Sequence, residues 1–160
     1  IPGVGHFDYG MRALRNMFDL KQLIEIIDCD DKQTLGICLG AQMMCNFSEE
    51  SSQKGLGIFS ANVVRFRLKD NKLKVPHMGW NTVKVKEGFK LWTEDNSNPR
   101  FYHVHSYHFE VNDASILYGT THYGYDFPVI LQDNNKFAVQ FHPEKSHKFG
   151  MQILKNFAKL

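Results

Sequence analysis

Hydrophobic positions along this chain repeat first at a helical and then at a strand period. From Tyr9 to Ile27, Met11, Leu14, Met17/Phe18, Leu23 and Ile27 recur at helical spacing, with an interruption near Asp19. A short strand-like run follows at Thr34–Ile37. Past Cys38, "LGAQMMCNF" has helix-forming residues, with Gly40 in the first turn. Helix, strand, sharp turn and helix is the rhythm of an α/β domain built on a parallel sheet.

The middle of the chain changes character. Val63–Phe66, Thr82–Val85, Phe101–Phe109 and Ser115–Thr121 read as strands, separated by turns such as "KDNK" and "EDNSNP". The last strand is predicted at Lys136–Phe141, where Phe137, Val139 and Phe141 alternate with Ala138 and Gln140. Ser146 then offers an N-cap to a closing helix with Phe149, Ile153, Leu154 and Phe157 on one side. No repeat, low-complexity segment or linker divides the chain, so residues 1–160 are expected to form a single domain.

Composition narrows the classes of function. A formal charge of +2 without a long basic run gives nucleic-acid binding no electrostatic support. No window approaches the roughly 18 apolar residues a membrane span needs, and no signal peptide opens the chain. The three cysteines are odd in number and lack CxxC spacing, which favours free thiols and a reducing compartment. A soluble, cytoplasmic protein is expected. The opening "IPGVGHF" reads as a strand end running into a loop, so the domain is expected to lack N-terminal sequence.

The first candidate chemistry is Gly36-Ile37-Cys38-Leu39-Gly40, a G-x-C-x-G thiol counterpart of the nucleophile turn. A side chain on a tight strand-to-helix turn projects above the sheet edge, and small neighbours let the backbone fold back. A helix N-terminus beneath it favours thiolate and offers N–H groups, that of Leu39 first, to a developing oxyanion. Taken alone, Cys38 also fits a small buried hydrophobe, as do Cys29 and Cys45, the latter read as two turns into the helix.

A thiolate nucleophile needs a base, and the base needs an orienting group. Both stand in "FAVQFHPEKS". His142 ends the alternating run, and Pro143 biases it toward an extended conformation. In an extended segment Glu144 falls on the same side as the imidazole, so it can hold one ring nitrogen while the other faces the sulfur.

"GICLGAQ" together with "QFHPEKS" resembles the class I (triad) glutamine amidotransferases, which carry Cys, His and Glu in that order. More narrowly, "PGVG" at Pro2–Gly5, "KVPHMGWN" at Lys74–Asn81 and "VHSY" at Val104–Tyr107 are similar to the glutaminase subunits of imidazole glycerol phosphate synthases. The resemblance implies a three-layer, doubly wound, mostly parallel α/β sheet of flavodoxin-like type, here without its first βα unit. It makes Cys38 the nucleophile, His142 the base and acid, and Glu144 its orienter. Gly3 and Val4, with Leu39, would hold the oxyanion, while Gln42, Glu50, Ser106 and Tyr107 would bind L-glutamine. No cofactor is implied. The implied partner is a (β/α)8-barrel cyclase that receives ammonia in histidine biosynthesis, with His77, Met78, Trp80 and Lys145 at the docking face.

Two other functions fit parts of the pattern. "VHSYHF" and "EKSHKFG" also resemble amidotransferases that supply ammonia to nucleotide-linked sugars in surface-polysaccharide pathways. A stand-alone cysteine hydrolase on the same fold fits the triad but not the "PHMGWN" loop or the Gln42/Glu50 pair. Finally, "FYHVHSYHF" puts His103 and His105 on one strand face with His108 nearby. A metal site would need a third ligand on a same-facing neighbour, and the sequence identifies none, so no metal is expected.

Overall fold

The computed structural model describes residues 1–93 and 98–160. The turn expected at "EDNSNP" falls largely on 94–97, outside the described residues. The chain opens with β1 (Pro2–Gly3), α1 (Phe7–Met17), α2 (Leu20–Asp28), β2 (Thr34–Cys38) and α3 (Leu39–Met43). It continues through β3 (Ala61–Arg65), β4 (His77–Val85), β5 (Arg100–His105), β6 (Tyr107–Val111), β7 (Leu117–His122), β8 (Asp126–Asp133) and β9 (Lys136–Val139), and closes with α4 (His147–Phe157).

The interruption near Asp19 is a helix boundary. Asp19 is the N-cap of α2, and its carboxylate accepts from the backbone N–H groups of Lys21 and Gln22. Seven strands form one sheet in the order β1-β2-β9-β8-β7-β4-β5, while β3 and β6 pair separately. β1, β2 and β9 are parallel, as the α/β rhythm predicts. The rest of the sheet, β9 through β8, β7 and β4 to β5, is antiparallel, so the α/β sheet is mixed, where a mostly parallel one was expected.

Strand alternation in the last segment explains the layers. Phe137, Val139 and Phe141 belong to the apolar cluster that includes Phe101 and Ile153, under α4. Ala138 joins the opposite cluster with Phe7, Met11, Leu39 and Met43, under α1 and α3. Both faces of β9 are therefore buried, as in a three-layer α/β domain.

Three local expectations change. The strand predicted over Phe101–Phe109 breaks at Ser106 into β5 and β6, and so moves from the main sheet to the small one. β4 begins at His77, so "HMGW", read as a loop, is strand, and β8 is a strand the hydrophobic pattern did not mark. α3 ends at Met43, which leaves Cys45 beyond the helix, fully buried, with its thiol against the Ala41 carbonyl.

Candidate active site

Cys38 ends β2 with φ 51° and ψ −111°, a backbone conformation L residues rarely adopt. The strain of the turn thus lies on the cysteine, while neither Gly36 nor Gly40 has a positive φ. Those glycines are required by close approach. A Cβ on Gly36 would stand 2.7 Å from the Ala41 Cα, and one on Gly40 would stand 1.8 Å from the Ile1 carbonyl oxygen. The parallel register sets Gly3 against Cys38, which brings the Gly3–Val4 segment beside the sulfur.

Burial pushes the Cys38 thiol up to about 11. The Leu39 N–H opposes that rise, and the Glu144 carboxylate adds to it, while Lys145 and Gln140 act weakly the other way. The expected thiolate is therefore not the resting form. With only five residues, α3 supplies a single N–H group against the desolvation of a buried sulfur.

His142 follows β9 and is 1% exposed. Its N–H donates to the Tyr102 carbonyl at 2.9 Å, and its own carbonyl accepts from the Ser146 hydroxyl at 2.5 Å. Nδ1 lies 2.7 Å from Glu144 Oε1. Because an ionised carboxylate only accepts, Nδ1 is the donor in this pair, which in the neutral imidazole leaves Nε2 as the lone pair. The pairing arises differently from the sequence expectation, since Pro143–Lys145 is a 3-10 turn rather than an extended run. His142 Nε2 is buried with no hydrogen-bond partner among the described residues, so the Cys38–His142 hydrogen bond is not formed in this state.

A cavity of about 290 Å³ opens beside the sulfur, lined by Val4, Cys38, Leu39, Gln42, Glu50, His105, Ser106 and Tyr107 among others. The four residues expected to bind an amino acid thus share one wall system. Gln42 is buried, and its amide Nε2 donates to Gln140 Oε1 at 3.0 Å and to the Tyr107 carbonyl at 3.3 Å. Glu50 has a structural role as well: Oε2 accepts from the Phe7 N–H at 2.8 Å, which caps α1 from across the cavity.

Gln140 and Ser146 are absent from the sequence-derived set. Gln140 is fully buried, and its Nε2 lies 3.9 Å from Cys38 Sγ. Its detectable signal was a polar side chain on the Ala138 face of an apolar strand. Ser146 has no side-chain role as an N-cap. Its hydroxyl instead accepts from the Tyr102 N–H at 2.9 Å and donates to His142, which fixes the turn under the imidazole.

Of the residues expected at a docking face, Met78 and Trp80 are exposed on β4, at 62% and 40%, and Lys145 is exposed on the 3-10 turn. Trp80 stacks on the His147 ring with centroids 5.1 Å apart. His77 is a correction: it is 3% exposed and faces inward, where its ring stacks on His103 at 4.6 Å. The strand register that pairs His77 with His105 turns it away from solvent. His108, grouped with His103 and His105 in the sequence, instead lies on β6, with Nε2 against the Tyr125 hydroxyl at 2.8 Å.

Cys38, the His142–Glu144 pair and the adjoining cavity make up the candidate site on an α/β sheet, and comparison gives the class. The chain belongs to the glutamine amidotransferase class-I family, whose model matches residues 2–160. Within it, the chain is 45% identical over 159 residues to imidazole glycerol phosphate synthase subunit HisH 2 of Methanococcus maripaludis, covering 99% of this chain and 78% of that protein. It is also 45% identical over 161 residues to the HisH subunit of Methanocaldococcus jannaschii, covering 100% and 79%. The fold matches the crystal structure of a glutamine amidotransferase from Thermotoga maritima with a TM-score of 0.63 at 21% identity, over 99% of this chain and 58% of that one.

Proposed function

We propose that the chain is the glutaminase subunit of an imidazole glycerol phosphate synthase. In this reading it hydrolyses L-glutamine and passes the ammonia to a cyclase partner in histidine biosynthesis. The observation that supports the chemistry is Cys38, on its strained turn, at the wall of a cavity shared with Gln42, Glu50, Ser106 and Tyr107, within electrostatic reach of the Glu144 that holds His142. The HisH relatives support the histidine pathway over the sugar-amidating alternative.

The proposed reaction starts from a neutral pair. His142 Nε2 takes the Cys38 proton as the sulfur attacks the amide carbon of glutamine, and Glu144 stabilises the imidazolium through Nδ1–H. The oxyanion forms beside the N–H groups of Leu39 and the Gly3–Val4 segment. His142 returns the proton to the leaving nitrogen, ammonia departs, and a thioester remains on Cys38. Water, deprotonated by the same imidazole, attacks the thioester and releases glutamate and the thiol. Substrate binding must bring the sulfur and Nε2 together, since apo hydrogen bonds of this kind often form only in the complex.

The Glu50 carboxylate suits the glutamine α-amino group, and the segment of Ser106 and Tyr107 suits its carboxylate. The partner would be a (β/α)8-barrel cyclase of HisF type, docking over Met78, Trp80 and Lys145. An exposed tryptophan packed on a second ring is a suitable interface anchor. Cytoplasmic location accords with this pathway, and no helix among the described residues is long and apolar enough to cross a membrane.

The test is glutamate release with and without the cyclase. Strong stimulation by the partner and complete loss in Cys38→Ala are expected. Full activity in the absence of any partner would overturn the subunit reading, and activity retained by Cys38→Ala would overturn the triad.

A further inference from the structure

We propose that His77, His103 and His105 form a three-imidazole site for a divalent transition-metal ion of the zinc type, in the wall behind the substrate cavity. The strand pattern builds it. His103 and His105 occupy alternate positions of β5 and share a face, and the antiparallel register sets His77 of β4 directly opposite His105. The third same-facing ligand that the sequence could not identify is therefore supplied by the neighbouring strand. One ring nitrogen from each residue lies within 4.8 Å of the other two, and all three residues are buried.

The distances and protons suit coordination. Tetrahedral zinc with bonds of about 2.0–2.1 Å holds its ligand nitrogens roughly 3.3 Å apart. His103 Nδ1 and His105 Nε2 are already 3.1 Å apart, and His77, whose Nε2 accepts from the Asn81 amide at 3.2 Å, joins them either by exchanging that hydrogen bond for the ion or by moving its proton from Nδ1 to Nε2. His105 Nδ1 lies 2.8 Å from the Tyr107 carbonyl, so it carries the proton and leaves Nε2 as a lone pair. A backbone carbonyl holding the far nitrogen is how ligating histidines are oriented. His103 Nδ1 then donates to His105, and that leaves His103 Nε2 buried without a partner, as is His77 Nδ1.

An ion would replace the His103–His105 hydrogen bond with two nitrogen–metal bonds. The displaced Nδ1 proton passes to Nε2 of the same ring, so no net proton is lost. Burial also holds all three imidazoles neutral near pH 7, as ligands must be. Three imidazoles without a carboxylate suit zinc, copper, nickel or cobalt rather than calcium or magnesium. His105 lines the cavity, so the cluster stands directly behind the cavity wall.

The test uses Co²⁺, then Zn²⁺, on chelator-treated Cys29→Ser/Cys38→Ala protein, which has no glutaminase nucleophile and no exposed thiol. Its outcome is thus independent of the proposed reaction. One Co²⁺ per chain is expected, with visible bands of a four- or five-coordinate ion that Zn²⁺ displaces. His103→Phe keeps a buried aromatic ring and should weaken binding by about a hundredfold or more, since loss of an outer-shell partner alone costs 10–100-fold. His77→Gln provides the same readout should His103→Phe fail to fold. Absence of stoichiometric binding, or equal binding by a folded variant, overturns the site and leaves a hydrogen-bonded imidazole cluster.

Discussion

Replacing Gly40 by alanine tests whether the turn glycines serve close approach. The new Cβ would stand 1.8 Å from the Ile1 carbonyl oxygen and 2.7 Å from its carbon, both backbone atoms. Contact at about 3.5 Å requires one segment to retreat by roughly 1.5 Å. Ile1 is held by two rungs to β2: its carbonyl accepts from Ile37 N–H at 3.0 Å, and its amino group donates to the Leu35 carbonyl at 2.8 Å. Breaking both costs about 1 kcal/mol each, and overpacking adds about 1–3 kcal/mol. Alanine returns about 1 kcal/mol as the better helix former, so a net loss of about 2–4 kcal/mol is expected. For a chain of this size, that lowers Tm by roughly 5–15 °C in a thermal melt. The retreat also carries Gly3–Val4 away from the sulfur, so kcat for glutamate release should fall by about 10²–10³, as for a lost oxyanion donor, with KM little changed. A variant melting within about 2 °C of the parent at full kcat would refute the packing argument.

Three further outcomes follow from the site. With its thiol raised to about 11, Cys38 should alkylate with iodoacetamide at a rate that climbs well past pH 9, and a plateau below pH 8 would contradict its burial. The sign for stability is the same: the contribution is complete below about pH 9, the free thiol's range, and is lost as pH rises toward 11. Ser146→Ala removes the bridge between Tyr102 and the His142 carbonyl; a loss of about 1–3 kcal/mol in urea unfolding and a fall in kcat exceeding that in 1/KM are expected. Unchanged kinetics would show that the imidazole is held without it. Finally, burial lowers His77 to about 4 and His105 to about 3, with His103 lowered as well. Their contribution is complete above pH 6.5 and is lost as pH falls toward 4, at up to about 1.4 kcal/mol per pH unit for each group. With chelator present, His103→Phe should flatten the stability slope between pH 6.5 and 5, and an unchanged slope would count against it.

The half of the fold that carries the chemistry was legible because its signals are local. The interruption near Asp19, the Thr34–Ile37 strand run and the alternation of Phe137, Val139 and Phe141 each depend on neighbours within a few residues. What escaped depends on long-range pairing. β8 carries Pro128 and a run of apolar residues without alternation, because Val129, Ile130 and Leu131 are all buried. "HMGW" is strand because β5 pairs with it, and the same pairing turns His77 inward, against the expectation of a docking residue. The raised thiol of Cys38 escaped for a related reason: the sequence marks the turn but not how deeply the folded chain buries the sulfur.

The topology explains why the candidate site residues lie on one side of the sheet. β1, β2 and β9 are the parallel strands, and each delivers one part of the site from its C-terminal end: Gly3–Val4, Cys38 and His142. Parallel strands align those ends on one side of the sheet, which is where α/β proteins open their ligand crevices. Antiparallel pairing begins at β8, on the far side of β9, and the opposite wall of the cavity comes from His105, Ser106 and Tyr107 at the break between β5 and β6. Gln140 joins the parts, because it stands on the His142 face of the last segment, reaches Cys38 Sγ and accepts from Gln42. Its neutral amide can hold a protonated thiol or a thiolate without adding charge to a buried site. A glutamate there would disfavour the thiolate and an apolar side chain would leave the Gln42 amide short of a partner, so an amide is the side chain that this junction requires.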